Sequence, residues 1–297
     1  MFEGLSVAMV TPFRDGALDE PATEKLTDFL ARGGVDVLVV AGSTGEGATL
    51  TRDESRRLYA LVKGAAAGRV RLVAGTGTNN TAVSIENTRE ARAAGYDGAM
   101  LVVPYYNKPT PAGLIAHFSA VAHAVDLPLM LYNVPYRTGT NMLPETVVRL
   151  AEVENIVAIK EASGSLDQVS TIRARCDLTI LSGDDSLTLP MLAVGARGVV
   201  SVVGNVAPRP LKDMLLAFEE GRLLDAEALH RKLLPLMRGL FLESNPGPVK
   251  SLLADLGLIA NELRLPLVPV EASTARAVRD AARASGLPLQ NAIGAAA

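Results

Sequence analysis

A chain of 297 residues holds one barrel-sized domain with a modest extension, and 48% hydrophobic with 21% charged residues is ordinary for a globular protein. With 29 Lys+Arg against 32 Asp+Glu and a net charge of −3, no basic stripe offers itself to nucleic acid. A single cysteine, Cys176, excludes an intrachain disulfide and a Cys-rich metal site, and no apolar run reaches the roughly 18 residues of a membrane span. The N-terminal MFEGLSVAMVTPF has no basic n-region and is broken by Pro12, so it lacks the shape of a signal peptide. The expectation is a soluble, cytoplasmic protein, which a lone unpaired thiol suits.

Eight short apolar runs follow one another: 5–10, 35–41, 70–74, 98–103, 127–132, 155–160, 178–182 and 197–203. They are continuously apolar rather than alternating, as parallel strands buried on both faces require. The segments between them read as helices. Thr51-Arg52-Asp53-Glu54 and Ser165-Leu166-Asp167-Gln168 have the form of capping boxes, and Pro21 and Pro144 sit where a first helical turn accepts proline. Gly33-Gly34 and Gly64 suit helix ends. Eight strands alternating with helices predict a closed (β/α)8 barrel, with an open doubly wound sheet as the alternative. Beyond Val203 only helical patterns follow, over 208–220, 222–242, 247–258 and 271–285. The division expected is a barrel carrying the active site over 1–220 and a helical region over 221–297, ending in a frayed Ala-rich tail from Ala292.

An active site on such a barrel gathers at the carboxyl ends of the strands. After the second run, Gly42-Ser43-Thr44-Gly45-Glu46-Gly47 is either an anion-binding loop of backbone N–H groups or a turn rich in glycine for backbone reasons. It matches neither dinucleotide nor P-loop spacing. Four of the six tyrosines (Tyr105, Tyr106, Tyr132, Tyr136) fall at that one end, as a proton-handling hydroxyl network or as packing under the loops. Arg137 is placed to grip a carboxylate, or is a solvated loop charge.

Lys160, which closes the apolar run NIVAIK, is the sharpest feature. The other six of the seven lysines lie in expected helices or loops. Desolvation at a barrel mouth disfavours the ammonium, and a shift of about 3 units from about 10.4, or about 4 kcal/mol, yields a free amine that attacks carbonyls. The competing reading is a lysine that reaches out to water. The three histidines show no ligand spacing, Asp184-Asp185 more readily cap a helix than bind a cation, and no Gly-x-Ser-x-Gly elbow occurs. No metal is expected.

Taken in order, TPF (11–13), GSTGE (42–46), AGTG (74–77), PYYNKP (104–109), YNVPYRTG (132–139), IKEASG (159–164), LSGDD (181–185), GVVSVVGNVAP (198–208) and NPGPVK (245–250) resemble the dihydrodipicolinate synthase family, within the N-acetylneuraminate lyase superfamily. The resemblance implies a Schiff-base lyase without external cofactor that condenses pyruvate with L-aspartate-4-semialdehyde to 4-hydroxy-tetrahydrodipicolinate, on the way to diaminopimelate and lysine. It implies Lys160 as the imine-forming lysine, Tyr132 as the proton shuttle, and Ser43 and Tyr106 as the rest of a hydroxyl relay, Tyr106 reaching in from a neighbouring subunit of a homotetramer built as a dimer of dimers. Thr44 would bind the pyruvate carboxylate and Arg137 that of the aldehyde. Gly183 and Val200 match positions whose backbone carbonyls lie near the lysine.

Several residues depart from the family pattern. Ser43 replaces threonine, as in the sugar-acid lyases, and Gly247 replaces an aliphatic residue of many synthases. Asn79 and Tyr105 match the effector site of lysine-inhibited relatives, but Arg52, Ser55 and Val83 stand at its His, His and Glu positions, which puts feedback inhibition in doubt. A sugar-acid aldolase acting on N-acetylneuraminate or 2-keto-3-deoxygluconate is the alternative activity, with Arg137 favouring the synthase. A non-catalytic ligand-binding barrel is disfavoured by the presence of Lys160, Tyr132, Tyr106 and a hydroxyl at 43.

Overall fold

A computed structural model of the chain describes residues 2–289. Eight parallel strands close into a barrel, β1 (Gly4–Ala8), β2 (Val37–Val40), β3 (Arg71–Gly75), β4 (Gly98–Val102), β5 (Leu129–Asn133), β6 (Ile156–Glu161), β7 (Thr179–Ser182) and β8 (Gly198–Ser201), with β8 returning to pair with β1. The closed ring excludes the open sheet. The outer layer comprises α1 (Glu20–Arg32), α2 (Arg52–Ala66), α3 (Thr81–Ala93), α4 (Pro111–Ala124), α5 (Pro144–Leu150), α6 (Leu166–Arg173), α7 (Thr188–Ala193) and α8 (Pro208–Glu219).

The unbroken apolar runs have a direct cause in β2. Val37 and Val39 point into the barrel among Val73, Met130 and Val200, while Leu38 and Val40 pack outward against the helices. Successive side chains face opposite ways, and here both faces are dry. At the amino-terminal end, fully buried Phe2 plugs the barrel. A Cβ at residue 98 would fall 2.5 Å from its ring, so only glycine starts β4.

Helix starts follow the sequence signals with one exception. Thr51 and Glu54 form the complete reciprocal capping box of α2. Ser165 caps α6 by accepting from the Gln168 amide, but the Gln168 side chain turns away and donates to Glu161 Oε2 (3.0 Å) and the Met142 carbonyl (3.2 Å). A buried carboxylate outcompetes the solvent-facing cap. Gly64 does not end α2 either. The helix runs on to Ala66, and the stop is made by Ala67 and Gly68, both at positive φ.

The strand signals beyond 203 end as expected, and α9 (Leu223–Gly239), α10 (Gly247–Asp255) and α11 (Ala272–Ala284) complete the described chain. Gly221, at φ +76, lies in the turn between α8 and α9. Two elements carried no sequence signal. A two-stranded antiparallel ribbon pairs Phe13–Arg14 with Ala17–Leu18. An irregular strap over 256–271 then reaches that ribbon, where the Glu262 carboxylate accepts from the backbone N–H groups of Asp15 (2.9 Å) and Gly16 (2.7 Å). No helix of the described residues is long and apolar enough to cross a membrane. The Ala-rich tail from Ala292 lies outside the described residues.

Candidate active site

Parallel register places Tyr132 of β5 beside Lys160 of β6, and Lys160 beside Leu181 of β7. Both polar side chains project inward at the carboxyl end of the barrel. The Lys160 Nζ lies over the Tyr132 ring, 4.1 Å from its centroid, and the residue is 4% exposed. Burial lowers its pKa from 10.5 to about 8; Asp184 and Asp185 oppose that shift, while Arg137 adds to it. Among the described residues the lysines in ion pairs are Lys212 and Lys250, so Lys160 has no carboxylate in direct contact with its nitrogen. At pH near 7 a fraction on the order of one tenth is therefore free amine. Burial likewise pushes the Tyr132 hydroxyl well above its ordinary range, with Tyr136 contributing. The phenol stays protonated and can donate.

The loop after β2 crosses the same opening. Gly75 at the end of β3 makes room for it, since a Cβ there would meet the Ala41 carbonyl and the Gly42 backbone at 2.7 Å. Thr44 is buried, and its hydroxyl accepts from Asn245 Nδ2 at 2.8 Å. Ser43 is exposed in the single chain but lines the same cleft as Lys160, Tyr132, Thr44, Arg137 and Gly183. Arg137 stands on one helical turn, Pro135–Thr138, with its guanidinium 5.5 Å from the Tyr136 ring and Nε donating to that hydroxyl at 3.2 Å. The cleft continues into a wider cavity that shares Ser43, Tyr132, Arg137 and Asn245 and extends to Thr76, Thr78 and Tyr105.

The Val200 side chain is buried in the barrel interior, so its backbone carbonyl is the group the expectation concerns, and Val202 lines the cleft. Tyr106, at φ +75 and 88% exposed, does not line the cleft of the single chain. Gly183 has no space for a side chain, because a Cβ would fall 2.5 Å from that of Ala162. Asp185 is buried and accepts from the N–H groups of Val202 (2.9 Å) and Val203 (3.1 Å) and from the Ser201 hydroxyl. Among the described residues no group of three or more His, Cys, Asp or Glu is placed to hold a metal.

Three features of the site escape sequence reasoning. Asn245 reaches Thr44 from 201 residues away, and its Oδ1 is buried without a partner. Phe241 forms part of the rim. Lys250 looks like an ordinary helical lysine, yet it is fully buried, with Nζ 2.5 Å from Glu46 Oε1 and 2.7 Å from the Glu262 carbonyl. The NPGPVK segment was a visible signal for all of this region, but only the fold shows what it touches.

The sequence profile of the dihydrodipicolinate synthetase family matches residues 1–285. This chain belongs to the dihydrodipicolinate synthetase family. A 4-hydroxy-tetrahydrodipicolinate synthase of Pelobacter propionicus is 51% identical over 91% of this chain and 94% of its own. Among solved family members, dihydrodipicolinate synthase from Aquifex aeolicus superposes with a TM-score of 0.95 at 43% identity, covering 98% of this chain and all of that one. A monomeric dihydrodipicolinate synthase variant superposes equally well, at 0.95 and 40% identity over 97% of this chain and 98% of that one.

Proposed function

We propose that this member of the family is a 4-hydroxy-tetrahydrodipicolinate synthase, a Schiff-base lyase that condenses pyruvate with L-aspartate-4-semialdehyde. The observation that carries the reading is the pairing of an unneutralised, buried Lys160 with a buried, protonated Tyr132 at the mouth of the barrel. The free amine attacks the pyruvate ketone. Proton transfer through Tyr132 lets the carbinolamine oxygen leave as water, forming the imine. The cationic imine nitrogen then takes up the electron pair as the methyl group loses a proton. The resulting enamine carbon attacks the aldehyde, whose oxygen gains a proton. Finally the acceptor's own amine adds to the imine carbon, expelling Lys160 and closing the ring.

In this reading Thr44 and the surrounding backbone N–H groups hold the pyruvate carboxylate, and Arg137 holds that of the aldehyde. Ser43 extends the relay from Tyr132. Gly183 and Val200 contribute backbone carbonyls near Lys160. Tyr106, exposed in the single chain, completes the relay from a neighbouring subunit of a dimer of dimers. The barrel over 1–220 carries the chemistry, and the helical region over 221–297 adds Phe241 and Asn245 to the cleft. A cytoplasmic enzyme that needs no external cofactor is the corresponding expectation. Lysine is not expected to inhibit it: Arg52, at one effector position, is held in ion pairs by Glu86 and Glu90, and Val83 brings no charge for an ammonium.

The test is to treat the protein with pyruvate and borohydride, locate the mass increment by peptide mapping, and assay condensation against a panel of aldehydes. The reading expects the adduct on Lys160, aspartate semialdehyde as the preferred acceptor, and loss of that preference in Arg137→Ala. Preference for a sugar aldehyde would favour a sugar-acid aldolase instead.

A further inference from the structure

Both ends of the loop assigned to the pyruvate carboxylate are tied to one distant segment. Asn245 donates to the Thr44 hydroxyl (2.8 Å), and five residues later Lys250 pairs with Glu46 (2.5 Å). Neither side chain of that pair has any solvent exposure. Each is fully occupied. The Lys250 Nζ also donates to the Glu262 carbonyl (2.7 Å) and lies 4.4 Å above the centroid of the Phe13 ring, while Glu46 Oε2 accepts from the Arg264 N–H (2.9 Å). Arg264 in turn donates to the Thr49 carbonyl (3.1 Å), at the far end of the same loop.

Glu46 holds its backbone at φ +51, which side-chain-bearing residues rarely adopt, between Gly47, where a Cβ would collide, and Gly45, where one would fit only tightly. A Cβ at Gly47 would fall 2.1 Å from the Ala41 carbonyl, and one at Gly45 would be 3.0 Å from that of Met9. The loop backbone is closely packed against Ala41 and Met9, and the ion pair is its outer clamp. A buried pair is a poor device for general stability, since apolar residues of similar volume often serve as well, but it fixes a geometry.

We propose that Glu46 and Lys250 are a positioning pair for the substrate keto acid: they aim the Thr44 hydroxyl and its flanking N–H groups at the carboxylate. The inference rests on the functional reading above and goes beyond it by assigning work to the second buried lysine. Neither residue touches a reacting atom. Loosening the clamp weakens capture of pyruvate and leaves the acceptor subsite, built around Arg137 on a different loop, in place.

The experiment compares full-length Lys250→Met, Glu46→Asp and the double variant Glu46→Leu with Lys250→Met. Steady-state kinetics and thermal unfolding are measured on each. The double variant removes both charges rather than stranding one, so it is expected to cost less stability than Lys250→Met alone. The expected result is a KM for pyruvate raised about tenfold or more in the folded double variant, with the KM for the aldehyde within about twofold and kcat at saturation little changed. Glu46→Asp, which keeps the charge on a shorter stem, gives an intermediate rise. A folded double variant with the parent KM for pyruvate overturns the proposal, as does a parallel rise in both KM values. A double variant that does not fold also counts against it, because the pair would then serve the whole fold. Absence of a pyruvate adduct in the parent protein is a separate outcome that overturns the functional reading itself.

Discussion

Two lysines lie buried within this barrel, each over an aromatic ring, and they differ in what meets the nitrogen. Lys160 stands at the end of β6 over an aromatic ring, faces a cleft and has no carboxylate in an ion pair; its pKa falls to about 8. Lys250 lies at the same end of the molecule over another aromatic ring, with a carboxylate and a carbonyl on its nitrogen. Burial lowers its pKa too, but Glu46 opposes the shift both by charge and by hydrogen bond. Depth alone therefore does not make an amine nucleophilic. Reactivity requires that the charged form be left uncompensated and that the lone pair face open space. Lys250 meets neither condition, and its charge serves as a structural tie.

The contrast breaks most sharply under exchange of function. Lys160→Ala is expected to lower kcat by on the order of 10³-fold or more, the scale of losing a covalent catalytic group, and to remove the borohydride-trapped adduct entirely. The check is intact-mass and peptide analysis after reduction. A residual adduct on Lys250 in that variant would mean that both amines are reactive and the distinction is wrong. Next in size is stability. Lys250→Met strands the Glu46 carboxylate in a dry site and is expected to cost about 3–5 kcal/mol of unfolding free energy. Denaturant unfolding at a fixed protein concentration measures it, and a loss under about 1 kcal/mol would show that water reaches the pair.

The fold and the buried lysine at the barrel mouth were legible in the sequence because each rests on a local signal. Val37–Val40 is apolar on both faces, which only a doubly covered strand accepts, and Lys160 closes a run of just that kind. What stayed hidden depends on contacts between distant parts of the chain. Lys250 has the sequence context of an exposed helical lysine, and its burial follows from a strap that packs Glu262 and Arg264 against Phe13–Gly16, some 250 residues away. Gln168 illustrates the reverse error: its spacing from Ser165 satisfies a capping box, but the buried Glu161 carboxylate is the stronger acceptor. Tyr106 is 88% exposed in the single chain, away from the cleft that Tyr132 and Ser43 line.

The two lysines are also expected to respond oppositely to methionine. The folded pKa of Lys160 is about 8 against 10.5 for the free side chain. Below about pH 8 the folded and unfolded chains both carry the proton, and the folded chain bears the full desolvation penalty, about 3 kcal/mol. Between about 8 and 10.5 the unfolded chain binds more protons, so stability rises with pH; above 10.5 the penalty is gone. Lys160→Met should thus stabilise the protein by up to about 3 kcal/mol at pH 7, with the gain fading by pH 10, at the expense of activity. Denaturant titrations at the two pH values check it. An equal gain at both would point to better packing rather than to removal of a buried charge.

The smallest effect probes what sets the reactive amine's pKa. Asp184 is partly buried near Lys160, and its charge raises the lysine's pKa against the larger effect of burial. Asp184→Asn keeps the size and the backbone carbonyl that accepts from the Ser182 and Thr188 hydroxyls, and removes only the charge. The ammonium then loses an attractive partner, so the pKa moves below about 8 and a larger share of the amine is free at neutral pH. The rate of adduct formation with pyruvate, followed against pH, should keep its shape while its midpoint shifts to lower pH. Lys250, held by its own carboxylate, is expected to be unaffected, so thermal stability at neutral pH changes little. A midpoint that stays fixed would mean that solvent screens Asp184 from the lysine, leaving burial, with Asp185 and Arg137, to set its pKa.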